Sequence, residues 1–158
     1  MTLGHYFNQS LESIIWHESL MRLAFGVNFN QKIEKLPPHL KILHFEGFFN
    51  HKITLPSSLT HLHLSMYFDQ YIDFTQVPHL KYLKIGQHYN KSFLFPQSLI
   101  SLALHKQQVK TWPPNLKHLY LTPEYPHQIL IDDLPKSLET IRMGFQKINV
   151  DTYRKISL

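Results

Sequence analysis

The sequence predicts a solenoid. About seven short parallel strands would stack into a curved sheet on the concave side, with short extended or 3₁₀ segments on the convex side. Three observations predict it. A set of leucines recurs about every 20 residues along the 158-residue chain. A proline stands two or three residues before most of the anchor leucines. An aromatic residue followed by an amide or acid recurs at a fixed distance after the leucines.

The anchors are Leu20, Leu40, Leu59, Leu80, Leu99, Leu116 and Leu138, spaced by 20, 19, 21, 19, 17 and 22 residues. A repeat of this length is one supersecondary unit that cannot bury its apolar face alone, so neighbours must stack. Apolar residues recur three and five positions after each anchor: Leu23/Phe25, Leu43/Phe45, Leu62/Leu64, Leu83/Ile85, Leu102/Leu104, Leu119/Leu121 and Ile141/Met143. Positions two apart share one face of a strand. These therefore face the core, and their neighbours face outward. Consecutive parallel strands call for right-handed crossovers. Prolines 37, 56, 78, 96, 113 and 135 disfavour a long helix in the return segment and suit extended or 3₁₀ backbone.

After each strand comes the second motif: Phe29-Asn30, Phe49-Asn50, Phe68-Asp69 and Tyr89-Asn90, with Phe7-Asn8 near the start. An apolar residue follows three positions later at Leu11, Ile33, Ile53, Ile72 and Phe93. The aromatics should form a buried column. Asn8, Asn30, Asn50, Asp69 and Asn90 should form a structural ladder inside the turn, satisfying backbone groups of their own and adjacent coils. A turn former explains one such residue; recurrence at a single offset points to a ladder. Asp69 can only accept when ionised, so its coil is expected to be held less well.

FN-x-x-I followed by LP-x-x-L-x-x-L-x-L resembles the FNIP repeat, a short relative of the leucine-rich repeat familiar from slime-mould proteins and giant viruses of amoebae. The resemblance covers roughly residues 3–144. It departs where the 99–116 coil is short and reads Gln108-Val109, where Tyr125-Pro126 replaces the aromatic-amide pair, and where the last unit slips to Ile148-Asn149. The resemblance implies a leucine-rich-repeat solenoid acting as a non-enzymatic interaction scaffold, placed in the cytoplasm, of the host if the chain is viral. Some family members carry an F-box before the repeats; this chain has no room for one on the present reading.

One domain spanning 1–158 is expected, with 1–15 a partial repeat or cap, 16–144 the repeats and 145–158 a cap or tail. The pattern starts in mid-repeat, and an open solenoid end suggests capping or pairing with another copy as a homo-oligomer. Residues 10–25 also read as an amphipathic helix beginning after Ser10.

The outward strand residues form two columns. One holds Arg22, Ile42, His61, Tyr82, Ser101, His118 and Thr140; the other holds Ala24, His44, His63, Lys84, Ala103, Tyr120 and Arg142. No acid appears in either. Arg22, Ile42, His44, His61, His63, Tyr82, Lys84, His118, Tyr120 and Arg142 are the candidate partner-binding residues. Tyr and Arg are favoured at protein-binding hot spots, and solenoids present extended concave surfaces. His44, His61 and His63 fall on adjacent strands. No carboxylate or thiolate completes a metal site with them in either column, so no metal or other cofactor is expected.

Composition narrows the function classes. The chain carries 12 histidines, no cysteine, 5 glycines and a net charge of +5 with histidine neutral. The lack of cysteine excludes thiolate chemistry and disulfides and fits a reducing compartment. No phosphate-cradling glycine loop is present. Ser, His and Asp occur without the spacing of a nucleophile, base and orienter, so no enzyme is expected. The basic balance leaves nucleic acid as an alternative partner, without a long Lys/Arg run to carry it. No signal peptide or membrane-length apolar run is seen, and no membrane partner is expected.

Overall fold

The computed structural model describes residues 1–92 and 94–150. Phe93 and residues 151–158 of the expected C-terminal cap or tail lie outside the described residues.

The chain is a solenoid built on one nine-stranded sheet whose spatial order follows the sequence. Its strands are β1 (Thr2–Leu3), β2 (Arg22–Phe25), β3 (Ile42–Phe45), β4 (His61–His63), β5 (Tyr82–Lys84), β6 (Ser101–Leu104), β7 (His118–Leu121), β8 (Thr140–Met143) and β9 (Gln146–Asn149). Neighbours from β1 to β8 pair in parallel, and β9 turns back antiparallel on β8. Seven of these are the expected strands; β1 and β9 extend the sheet at its two ends. The helix considered for residues 10–25 is not there: this stretch is turn and extended backbone leading into β2. Its exposed Ile14 and Ile15 do not join the core, whereas Leu23 and Phe25 are buried by strand alternation.

The proline motif makes a tight turn before each strand. The anchor N–H donates to the carbonyl three residues earlier: Leu40 to Pro37 at 3.2 Å, Leu59 to Pro56 at 3.0 Å, Leu99 to Pro96 at 3.1 Å, Leu116 to Pro113 at 3.2 Å and Leu138 to Pro135 at 3.0 Å. Where the spacing is one residue short, Leu80 N–H finds Val77 O at 3.0 Å; where proline is replaced, Leu20 N–H finds His17 O at 3.0 Å. Proline's missing N–H costs nothing at a position that supplies only a carbonyl. Two single 3₁₀ turns, Phe74–Gln76 and Ile131–Asp133, lie in the return segments.

The core runs the length of the coil. Leu40, Leu59, Leu80, Leu99, Leu116 and Leu138 are buried, while Leu20 is half-buried at the first full coil. Beside the leucines runs a ring column. Phe7, Phe29, Phe49, Phe68 and Tyr89 stack with centroid spacings of 6.0, 5.8, 6.0 and 6.2 Å. Phe25 and Phe45 reinforce it, each ring lying 4.2 or 4.0 Å from Phe29 or Phe49. Full burial of each ring contributes roughly 1.5–3 kcal/mol.

The aspartate and amide side chains act along the coil axis. Asn8 Oδ1 accepts the Asn30 N–H at 2.9 Å, Asn30 Oδ1 the Asn50 N–H at 3.0 Å, Asn50 Oδ1 the Asp69 N–H at 2.9 Å, and Asp69 Oδ1 the Asn90 N–H at 2.9 Å. The four asparagines are exposed and Asp69 is half-buried, so these groups sit on the outer side of the bend and not inside the turn. Each link uses a side-chain oxygen as acceptor. A carboxylate serves as well as an amide, which removes the reason for expecting Asp69 to hold its coil less well. Lys91 Nζ adds an ion pair to Asp69 Oδ2 at 2.9 Å.

At Gly47 the backbone adopts φ +59°, and a Cβ there would fall 2.2 Å from Val27 O of the previous coil. Only glycine takes this approach without strain. Gly144, at φ +58°, opens the two-residue turn between β8 and β9, the geometry a Gly-X hairpin turn favours.

Candidate concave binding face

The strand register aligns the outward residues. Arg22 pairs with Ile42, Ile42 with His61, His61 with Tyr82, Tyr82 with Ser101, Ser101 with His118 and His118 with Thr140. The second column runs Ala24, His44, His63, Lys84, Ala103, Tyr120, Arg142 in the same way. Arg22, Tyr82, Lys84, Tyr120 and Arg142 are exposed; Ile42, His44, His61, His63 and His118 are half-buried. His44, His61, His63, Tyr82, Lys84, His118 and Tyr120 lie together around one shallow groove. Arg22 and Arg142 stand on β2 and β8, near opposite ends of the sheet, and do not meet.

Within the groove the aromatic and imidazole rings order one another. His61 lies parallel to Tyr82 with ring centroids 4.2 Å apart. Thr60 Oγ1 lies 3.0 Å from Lys41 O and shares a 2.8 Å hydrogen bond with His61 Nδ1. His44 and His63 stand 4.0 Å apart, centroid to centroid. Among the described residues His44 Nε2 has no hydrogen-bond partner, the Glu46 carboxylate being 3.8 Å away. His118 Nδ1 and Thr140 Oγ1 share a hydrogen bond of 2.9 Å. The Arg142 guanidinium lies 5.9 Å from the Tyr120 ring centre.

Burial keeps the central imidazoles neutral. Desolvation, then the positive charges of His44, Lys84 and His105, push His63 down to about 3. Desolvation also lowers His44, opposed by Glu46 and aided by Lys84 and Arg22. It lowers His61, with Lys81 adding repulsion, and His105, with Lys84 adding repulsion. Arg22, Lys84 and Arg142 are the fixed cations of this face. His61 is turned onto Tyr82 and Thr60, and among the described residues no set of three metal-ligating groups converges.

Some residues that tie the coils together are not evident from the repeat pattern. Gln107, buried at 6% exposure, takes the place of the aromatic-amide unit in the short 99–116 coil, where Gln108-Val109 had the nearer resemblance. Its Nε2 donates to Gly86 O at 2.8 Å and Tyr89 O at 3.2 Å, and its Oε1 accepts the His105 N–H at 3.0 Å. Tyr125 hydroxyl then donates to Gln107 O at 2.9 Å. A second ladder runs through the serines just before the anchors: Ser58 Oγ donates to Leu40 O, Ser98 Oγ to Leu80 O and Ser137 Oγ to Leu116 O, each at 2.8 Å. The signal was the recurrence of serine at that position. Phe48, Tyr67 and His88 form an exposed stack with spacings of 5.3 and 4.9 Å.

The family described as FNIP Repeat matches residues 49–88 and 108–146, together half of the chain. Comparison with curated proteins gives no match. Among solved structures, the chain is similar to the crystal structure of CroV588, a novel circular LRR protein, with a TM-score of 0.78 and 35% identity over 90% of this chain. It spans 23% of the length of that protein.

Proposed function

Because the chain belongs to the FNIP repeat family, whose units build leucine-rich-repeat solenoids, we propose that it is a non-enzymatic scaffold that binds a protein partner on its concave face. The observation that carries this reading is the register of the sheet. It sets Tyr82, Lys84, Tyr120 and Arg142 side by side, exposed, on strands held by a continuous core. Such a platform loses little conformational freedom on binding, which favours affinity. On this reading the chain is viral, which the likeness to CroV588 supports, and its partner is a protein of the host. The two outward columns of the face hold rings and cations and no acid, which suits recognition more than proton transfer.

A photocrosslinking amino acid at position 82 or 120, compared with one at exposed, convex Lys52, tests this in host cells. The first two should trap the same protein and the third should not. Trapping only from position 52, or from none, would contradict the reading. The excess charge of +5 favours nucleic acid as a second reading. Affinity falling steeply with salt, and a trapped species lost on nuclease treatment, would support it. Among the described residues no helix is long and apolar enough to cross a membrane.

A further inference from the structure

Strand β6 is the low point of the concave face. Its outward residues, Ser101 and Ala103, are the smallest pair on the sheet between β2 and β8. Tyr82 and Lys84 rise from β5 on one side, and His118 and Tyr120 from β7 on the other, around the same groove. Adjacent strands lie ~4.8 Å apart, so the walls stand roughly 10 Å from each other, enough for one large side chain between them.

Two cations flank this trough in a single column. Lys84 on β5 and Arg142 on β8 are three strand steps apart, about 14 Å. Both are exposed, and neither is in an ion pair among the described residues; Arg142 has only the Tyr120 ring beneath it. His44 and His63, both lowered by desolvation, do not compete for an anion at neutral pH. An extended peptide advances ~3.3 Å per residue and turns alternate side chains to the same face. Residues i and i+4 would then reach the two cations, while residue i+2 falls over the trough.

We propose that the concave face takes an extended acidic segment of the partner protein, with the pattern acid-x-aromatic-x-acid, laid across β5 to β8. The two carboxylates pair with Lys84 and Arg142, and the aromatic ring enters the trough over Ala103 between the β5 and β7 side chains. The inference rests on reading the concave face as a protein-binding surface, and it names the chemistry of what binds. The central ring supplies the anchoring contact that hot spots need, and the charges set register and direction.

Fluorescence anisotropy with three labelled peptides tests it. Their cores are Glu-Ser-Trp-Ser-Glu, its Gln-for-Glu counterpart, and the respaced Glu-Glu-Trp-Ser-Ser. The first should bind about tenfold more tightly than the second, the sum of two exposed ion pairs, and more tightly than the third. Lys84→Gln and Arg142→Gln should each weaken the first about three- to fivefold and leave the second unchanged. Ala103→Phe should fill the trough and abolish binding of all three tryptophan peptides, with thermal melting checked to exclude unfolding. Equal binding of the Glu and Gln peptides, or no binding of either, would overturn the proposal. So would an oligothymidylate that binds more tightly with the same dependence on Lys84. A protein trapped from position 82 that none of these peptides displaces would sink this motif and leave the scaffold reading standing.

Discussion

Asp69 and Asn90, on successive coils, are joined by a 2.9 Å hydrogen bond in which the carboxylate accepts the backbone N–H. Asn50 makes the same link to Asp69 itself at 2.9 Å. The acceptor oxygen is therefore the working part of the ladder.

Asp69→Asn should retain the backbone link and lose only the Lys91 ion pair, changing stability at neutral pH by less than about 1 kcal/mol. Desolvation raises the Asp69 carboxyl, but the Asn90 N–H and the Lys91 ammonium outweigh it and hold the group below 3.8. A depressed carboxyl stabilises the fold above its unfolded value and loses that contribution as pH falls through its folded one. Urea titrations of both proteins at pH 7 and below pH 3 check this. Any advantage of Asp69 at pH 7 should vanish in acid.

Asn50→Ala should cost about 0.5–1.5 kcal/mol, the net worth of a hydrogen bond whose orphaned donor can reach water. The exposed position of Asn50 sets this figure. A denaturant midpoint that does not move would make Asn50 an ordinary turn residue.

Gln107→Ala should cost more, about 2–4 kcal/mol, because it strands several polar backbone groups around a buried amide. Loss of less than about 0.5 kcal/mol in urea unfolding would show that these groups rearrange freely.

Stability should fall as the pH drops through 6.5 and go on falling toward about 3, where His63 titrates in the fold. The unfolded chain takes up the proton first, because desolvation and the charges of His44, Lys84 and His105 resist it in the native state. His63→Phe keeps a ring and removes the titration, so its profile of urea midpoint against pH should be flatter between 6.5 and 4. An unchanged slope would place the effect elsewhere.

Gly47→Ala should destabilise by about 2 kcal/mol or more, since both the positive φ and the approach to Val27 O resist a Cβ. Thermal melting would register it; an unaltered melting temperature would mean the turn reshapes at no cost.

The strand register and both outward columns were legible in the sequence, because leucine spacing sets which residues alternate inward and where each coil begins. The ring column from Phe7 to Tyr89 was legible for the same reason. The direction of the amide links was not, since residue type alone does not say whether a side chain donates or accepts. Gln107 escaped notice because the motif it replaces is missing from a coil of 17 residues, and a single buried amide leaves no periodic trace. The alternative helix at residues 10–25 failed because its apolar spacing suits two geometries. Pairing of β2 with β1 and β3 decides between them. The two cations and the trough were present in the columns, but their separation emerges only once the strands are counted in space.

Everything depends on coils of about 20 residues lying in register. The chain has no cysteine, so paired cysteines can read that register directly. Ser101 and His118 are partners across β6 and β7, whereas Ser101 and Thr140 stand two strands apart. The double variant Ser101→Cys/His118→Cys should oxidise readily to an intramolecular disulfide, and Ser101→Cys/Thr140→Cys should not. Equal yields from the two pairs, or a higher yield from the second, would contradict the stacked-coil account.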